Sequence, residues 1–387
     1  MESLRIALFT YSTKPRGGVV HTLRLAEELA RLNHTVHVYA LSSEKGFFRP
    51  VSIPHTLIPC SSNGYENMDE KVREYIRVFT EHMISVKHGY DIYHSEDCIS
   101  ANALFELRSI GSIKFFIRTV HHVDNFTSKS LIDCQMKSIM EPDHIVVVSR
   151  FWEKELRSRY FLSPNLIHNG VDIERFWIPE GGRLLKERAK KRFSVDGCKV
   201  ILSIGGIEPR KNTLTILRAF SIANFSFKAK GERLVWLIGG GETLFDYRAY
   251  REEFFSELKR LGFKLDEDII ILNTVPEDLM VELYRAGDVF VFPSVKEGWG
   301  LVVLEAMASG LPVIASNIEP LTEYLKDGEN AILIPPMDHK YLAQQIVRVL
   351  ETPELNINGI ETAKAFSWQS TALNHLEFYS RVLAERS

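Results

Sequence analysis

The sequence predicts an α/β protein of two Rossmann-like domains whose parallel sheets face each other across a cleft. Three observations predict it. Short β-rich runs alternate with helical patterns along the chain, the order produced by βαβ units on a parallel sheet. That series occurs twice, interrupted by a polar, basic stretch after Phe176. And 387 residues are too many for one ordinary core but suit two.

The elements follow in order. Leu4–Thr10 is an apolar run that reads as a first buried strand. Val19–Leu32 carries apolar residues at Leu23, Leu25, Ala26, Leu29 and Ala30, the stripe of an amphipathic helix. Thr35–Leu41 is a second strand, and Asp91–His94, Ile113–Val120 and His144–Ser149 continue the series. A first domain over 1–175 then gives way to IPEGGRLLKERAKKRF. Its Arg183, Lys186, Arg188, Lys190, Lys191 and Arg192 read as a solvated helix near a hinge. A membrane-surface contact is the weaker alternative, because the apolar face it needs is slight. The second domain, over 176–365, has strands at Lys199–Ile204, Leu234–Ile238, Ile269–Leu272, Val289–Val291 and Val313–Ala315, with helices at Leu214–Phe220 and Leu301–Ser309.

Composition narrows the class. Hydrophobic residues at 45% and charged residues at 25% are ordinary for a globular protein, and a net charge of −3 offers no field for nucleic acid. The apolar run at the amino terminus is too short to cross a bilayer, and no signal-type cleavage region follows it. Cys60, Cys98, Cys134 and Cys198 form no CxxC pair, so buried thiols in a reducing compartment are expected rather than disulfides or a zinc site. The expectation is a cytoplasmic enzyme.

In open parallel sheets ligands bind beyond the carboxyl ends of the strands, so the loops there carry the chemistry. After the first strand, Gly17 and Gly18 precede a helix, which lets backbone approach a ligand and exposes N–H groups. This is not GxGxxG, and the second strand does not end in the acidic residue that would hold a nicotinamide ribose. No GxxxxGK[ST] is present, which excludes a P-loop kinase. His121 follows the strand Ile113–Val120. GGIEPRKN places Arg210 and Lys211 on an exposed loop before a helix, a natural diphosphate site. LIGGGE supplies a further glycine turn. Asp266-Glu267-Asp268 formally matches a metal-binding DxD, but it precedes a strand and reads as a solvated turn.

The stretch EGWGLVVLEAMASGLPVIAS then makes sense. Glu297 ends a strand-to-helix loop with Gly298, Trp299 and Gly300, and the helix beginning at Leu301 presents its amino end to the same place. Glu305 lies just over a turn inside. Two acceptors around an anion-binding helix end suit a nucleotide sugar, with its sugar, diphosphate and ribose.

Here the chain resembles the retaining glycosyltransferases of family 4, of GT-B architecture. Glu297 and Glu305 match that family's E-x7-E motif. PRGGVVHTLRLAEELARLNHTVHVY, TVHHV, HNGVDIERF, GGIEPRKN, LIGGGE and YRAGDVFVFPS match in order across nearly the whole chain. The resemblance implies a nucleotide-sugar donor, held mainly on the second domain, and an unknown hydroxyl acceptor. It implies that Lys211, with Arg210 beside it, neutralises the leaving diphosphate. Glu297 and backbone around Gly298, Trp299, Gly300 and Leu301 would meet the donor sugar, and Glu305 the ribose. Gly17 and Gly18 would approach the diphosphate, and His121 the sugar. Residues 366–387 would form a helix that returns to brace the first domain. Many relatives carry an arginine where this chain has Gly206, a loss for which Arg210 would compensate. Retention by same-face attack is implied, with no metal and no other cofactor. A non-hydrolysing nucleotide-sugar epimerase and a non-catalytic nucleotide- or sugar-binding subunit are the alternatives.

Overall fold

A computed structural model describes the chain except residues 1, 2, 62, 63, 87, 88, 127, 179–181, 241–246, 353–356 and 387. Gly241 and Glu242 of the LIGGGE turn, and residues 179–181 of the basic stretch, lie outside the described residues. The chain forms two compact units, Met1–Gly170 with Trp368–Ser387, and Val171–Ser367.

The first unit opens with β1 (Arg5–Thr10), α1 (Gly17–Arg31), β2 (Thr35–Ser42), β3 (His55–Pro59) and α2 (Met68–Ser85). It continues through β4 (Ile92–Ser95), α3 (Cys98–Ser109), β5 (Ile117–Val120) and α4 (Lys129–Met140). β6 (His144–Val147), α5 (Arg150–Tyr160) and β7 (Asn165–Leu166) close the series. Its seven-stranded sheet has the order β3-β2-β1-β4-β5-β6-β7, and every recorded pairing is parallel.

The second unit begins with α6 (Ile173–Phe176), α7 (Gly182–Arg192), β8 (Lys199–Ile204), α8 (Thr213–Ala229) and β9 (Leu234–Gly239). Then come α9 (Arg248–Arg260), β10 (Ile269–Ile271), α10 (Met280–Ala286), β11 (Val289–Phe292) and α11 (Leu301–Ala308). β12 (Val313–Ser316), β13 (Ile332–Ile334), α12 (His339–Glu351) and α13 (Ile360–Lys364) complete it. Its six-stranded parallel sheet runs β10-β9-β8-β11-β12-β13. The last helix, α14 (Trp368–Ala384), belongs to the first unit, where it packs on α1 and buries Trp368, Leu376, Phe378 and Tyr379.

Why these residues form these elements is plain at the centre of each sheet. β1 reads RIALFT and is buried from Ile6 onward, and β9 reads LVWLIG and is buried throughout, as strands covered on both faces require. Capping starts several helices: Asn67, Asp97, Ser128 and Ser149 each accept from a backbone N–H three residues on.

Several expectations are corrected. The strand expected from Ile113 begins only at Ile117; Ile113, Phe115 and Phe116 are apolar because they are buried, not because they join the ladder. Sequence reasoning missed β3, a short edge strand ending in proline, and β7, which is two residues long. The helix expected over Leu214–Phe220 runs on to Ala229. The first unit ends at Gly170 rather than 175, because Val171 bridges to Ser367 and α6 packs on α11. The basic stretch is a helix, but not a wholly solvated one. Lys186 and Lys190 reach Asp288 at 2.7 and 2.6 Å, and Lys190 is only 14% exposed. Of the cysteines, Cys134 and Cys198 are buried, whereas Cys60 and Cys98 are half-buried; all four are free. No described helix is long and apolar enough to cross a membrane.

Candidate active site

The segments beyond the carboxyl ends of β8 and β11, neighbours in the second sheet, bring Glu208, Arg210, Lys211 and Glu297 together. β8 ends at Ile204 and the chain turns at Gly205, with φ at +143°. A Cβ there would stand 2.9 Å from Lys211 Cγ, so only glycine lets the lysine stem lie across the turn. The turn after β9 leans on it: a Cβ on Gly240 would lie 2.4 Å from the Gly205 carbonyl. Pro209–Lys211 then makes one 3-10 turn, and Asn212, in the left-handed region, opens α8. Asn212 Nδ2 donates to the carbonyls of Pro293 and Pro336 at 3.1 and 2.6 Å, tying three loops together.

This framework delivers two cations to one carboxylate. Glu297 Oε1 accepts from Lys211 Nζ at 2.7 Å and from Arg210 Nη1 at 2.9 Å. Arg210 also donates to Glu208 Oε1 at 3.1 Å and to the Lys296 carbonyl at 3.3 Å. Burial alone would push the Glu297 carboxyl up, but the charges of Arg210 and Lys211 outweigh it and hold the group down at about 2. Burial lowers the Lys211 ammonium, with the Arg210 charge adding to it and Glu297 opposing. The expected exposure of Lys211 is not found: its side chain is 13% exposed, and Nζ stands 4.3 Å from the centre of the Phe292 ring. Arg210, expected to make up for the charge that Gly206 lacks, is paired with both Glu208 and Glu297.

Beside this cluster α11 begins. Gly300 sits at φ +94°, and a Cβ there would meet Leu321 Cδ2 and Tyr324 Oη at 2.8 Å. The indole of Trp299 is buried against Tyr324 and Phe366, and Tyr324 Oη donates to the Trp299 carbonyl at 2.9 Å. These contacts fix the Gly298–Leu301 backbone. The N-cap of α11 is Gly300, which has no side chain to cap it, and Val303 N–H bonds the Gly300 carbonyl at 2.9 Å, so the N–H groups of Leu301 and Val302 are the ones placed to meet a ligand. Glu305, half-buried in the second turn, accepts from Tyr284 Oη at 2.6 Å. Burial, and then the Glu305 charge, push the Tyr284 hydroxyl well above its ordinary value.

The first unit holds the remaining residues. Gly17 and Gly18 open α1; Gly17 is exposed, and a Cβ on Gly18 would lie 3.5 Å from the His121 ring. His121 follows β5 directly, and its Nε2 is 3.1 Å from Glu96 Oε2. Burial, then the Arg118 and His122 charges, hold the His121 imidazole well below its ordinary value. Burial pushes the Glu96 carboxyl up to about 7. The Asp266–Asp268 run lies at the amino end of β10, where Asp268 Oδ2 accepts from the Lys264 N–H at 2.9 Å.

Sequence reasoning missed Glu208, Asn212, Tyr284 and Glu96. Glu208 and Asn212 stand inside GGIEPRKN and were in view; nothing in the sequence signals that Tyr284 meets Glu305.

Two parallel-stranded Rossmann-like sheets of this kind are the architecture shared with GT-B glycosyltransferases. The model for "Glycosyl transferases group 1" matches residues 186–366, and that for "Glycosyltransferase Family 4" matches residues 15–175. The chain belongs to glycosyltransferase family 4. It is 26% identical over 424 residues to a D-inositol 3-phosphate glycosyltransferase of Corynebacterium glutamicum, covering 99% of this chain and 98% of that protein. An uncharacterised glycosyltransferase of Methanocaldococcus jannaschii is also 26% identical, covering 97% and 98%. Among solved structures, sucrose-phosphate synthase from Thermosynechococcus elongatus superposes with a TM-score of 0.80 at 22% identity, covering 99% of this chain and 100% of the other. Anabaena HepE in complex with UDP-glucose gives 0.75 at 17% identity, covering 98% and 100%.

Proposed function

We propose that this glycosyltransferase moves a sugar from a nucleoside-diphosphate sugar to an acceptor hydroxyl with retention at the anomeric carbon. The observation that carries the donor assignment is the Lys211–Glu297–Arg210 group beside the uncapped start of α11. A diphosphate is the anion that two cations and a helix amino end suit. In this reading Lys211 and Arg210 turn part of their hydrogen bonding from Glu297 to the phosphate oxygens as the sugar–oxygen bond breaks. Glu297 keeps the cations in place and accepts from sugar hydroxyls, as does the backbone at Gly298–Leu301. Glu305, oriented by Tyr284, accepts from the ribose hydroxyls.

Glu297 makes a poor covalent nucleophile, since its Oε1 is already shared by two cations. The departing phosphate oxygen therefore takes the acceptor proton, and the acceptor oxygen bonds the anomeric carbon from the face that the phosphate leaves. The protein contributes position and fixed charge. Within the first unit, His121 is assigned a contact to a bound sugar, and the backbone at Gly17 and Gly18 an approach to bound ligand. Two protein cations take the role that Mg²⁺ has elsewhere, so the diphosphate needs no metal.

The test is a thermal-shift screen of nucleoside diphosphates, followed by transfer assays with the sugar nucleotides of whichever base binds. The anomeric configuration of the product is read by NMR. A product of inverted configuration overturns the retaining mechanism, and a rate that rises severalfold on adding Mg²⁺ or Mn²⁺ overturns the metal-free diphosphate site.

A further inference from the structure

We propose that the first unit holds a divalent transition-metal ion of the Zn²⁺ class between His21 Nε2, Glu96 Oε2 and His121 Nε2. This site is separate from the cations assigned to the diphosphate; it shares His121 with the sugar contact proposed above, which then falls to the part of that ring the ion does not use.

Three adjacent strands create it. β1, β4 and β5 lie side by side in the sheet, and the segment following each contributes one ligand: His21 from α1, Glu96 one residue past β4, and His121 one residue past β5. Glu96 Oε2 is 3.1 Å from His121 Nε2 and 3.6 Å from His21 Nε2, and the donor atoms of the three residues all lie within 4.8 Å of one another. A tetrahedral ion with bonds of about 2.0–2.2 Å holds its ligand atoms roughly 3.3 Å apart, so small side-chain rotations suffice to close the set.

A second observation points to an ion. His21 and Glu96 are fully buried at the side chain. His21 Nδ1 is 2.8 Å from Asn169 Oδ1, which can only accept, so the ring proton sits on Nδ1. Nε2 is then a bare lone pair, buried, without a hydrogen-bond partner, and directed towards a carboxylate. Two lone pairs facing each other in a dry interior call for a positive centre between them, a shared proton or a metal ion, and two imidazoles around one carboxylate are a set that an ion fits. A histidine whose second nitrogen donates to a fixed oxygen is the usual form of a metal ligand. His94, another ring near Glu96, is already bonded at both nitrogens, to Tyr379 Oη and Thr119 Oγ1 at 2.7 Å each, and is not a ligand. Two imidazoles with one carboxylate favour zinc-like ions over Mg²⁺ or Ca²⁺, which prefer all-oxygen sets. The ring of His121, 13% exposed, marks the side from which an ion and a fourth ligand can enter.

The experiment uses untagged full-length protein, prepared without metal-affinity media, stripped with a chelator and then titrated with Zn²⁺ and with Co²⁺. About one ion per chain is expected, with the intense visible absorption of tetrahedral Co²⁺. Glu96→Gln and His21→Ala should abolish stoichiometric binding, and Asn169→Ala should weaken it ~10-fold or more. Full retention of the ion by folded variants overturns the proposal. Should the variants fail to fold, wild type decides: no stoichiometric binding, or only the pale spectrum of octahedral Co²⁺, overturns it by showing that Glu96 and the histidines share protons instead.

Discussion

Replacing Glu297 by glutamine tests the central group of the second unit. The change keeps size and one acceptor oxygen but removes the charge that holds Lys211 and Arg210. A carboxyl held at about 2 instead of 4.5 corresponds to about 3 kcal/mol, at roughly 1.4 kcal/mol per pH unit. Losing one member of a buried ion pair typically costs on the same order, about 3–5 kcal/mol. Because the folded value lies below the unfolded one, this stabilisation is complete above 4.5 and is lost as pH falls towards 2. At pH ~3.5 roughly 1 kcal/mol of it has gone. Glu297→Gln should therefore destabilise the second unit by about 3 kcal/mol at pH 7, and the gap to wild type should narrow steadily below pH ~4.5. Hydrogen exchange of β8 and β11 amides in urea reads the unfolding of this unit separately from the other. Equal stability at pH 7, or a gap that does not change down to pH ~3.5, would refute the claim that the two cations depend on this carboxylate.

Three further outcomes are expected. Lys211→Ala should lower kcat by ~100-fold or more, the scale for removing a fixed charge that acts in the transition state. It should also lower the melting temperature, since its stem packs on Gly205 and Phe292; wild-type turnover would take Lys211 out of the diphosphate site. Glu305→Ala should weaken nucleoside-diphosphate binding by about 1.5–3 kcal/mol in calorimetry, while Tyr284→Phe, which leaves the Glu305 carboxylate present but without the Tyr284 hydroxyl, should cost less. Unchanged affinity in Glu305→Ala would remove the ribose role. Gly300→Ala should destabilise the second unit by about 1–3 kcal/mol, because its backbone is left-handed and the new Cβ meets Leu321 and Tyr324 at 2.8 Å. A melting temperature equal to wild type would show that the loop before α11 has room to relax.

Much of the architecture can be read from local pattern. Lys199–Ile204 is a strand at the positions its apolar run indicates, and the helix beginning at Leu301 starts where Gly300 allows the turn. Both follow from a short continuous apolar run and glycine stereochemistry, which act over a few residues and are visible in any window of sequence. The segment order likewise named the family, and Glu297, Lys211 and Arg210 proved to be neighbours although 86 and 87 positions separate the acid from the two cations.

What the tertiary structure decided is the state of those groups. Lys211 looks like a loop lysine because lysines in loops usually meet water; here Gly205 and Phe292 bury it. His121 is a single histidine in the sequence, yet it stands with Glu96 and His21 because β1, β4 and β5 are adjacent, an order that places residues 21, 96, 121 and 169 together from distant parts of the chain. Strand order is set by how two layers of helices cover a sheet, a property of the whole unit. Burial, and with it the depressed Glu297 and the bare nitrogen of His21, follows from that packing rather than from any local run of residues.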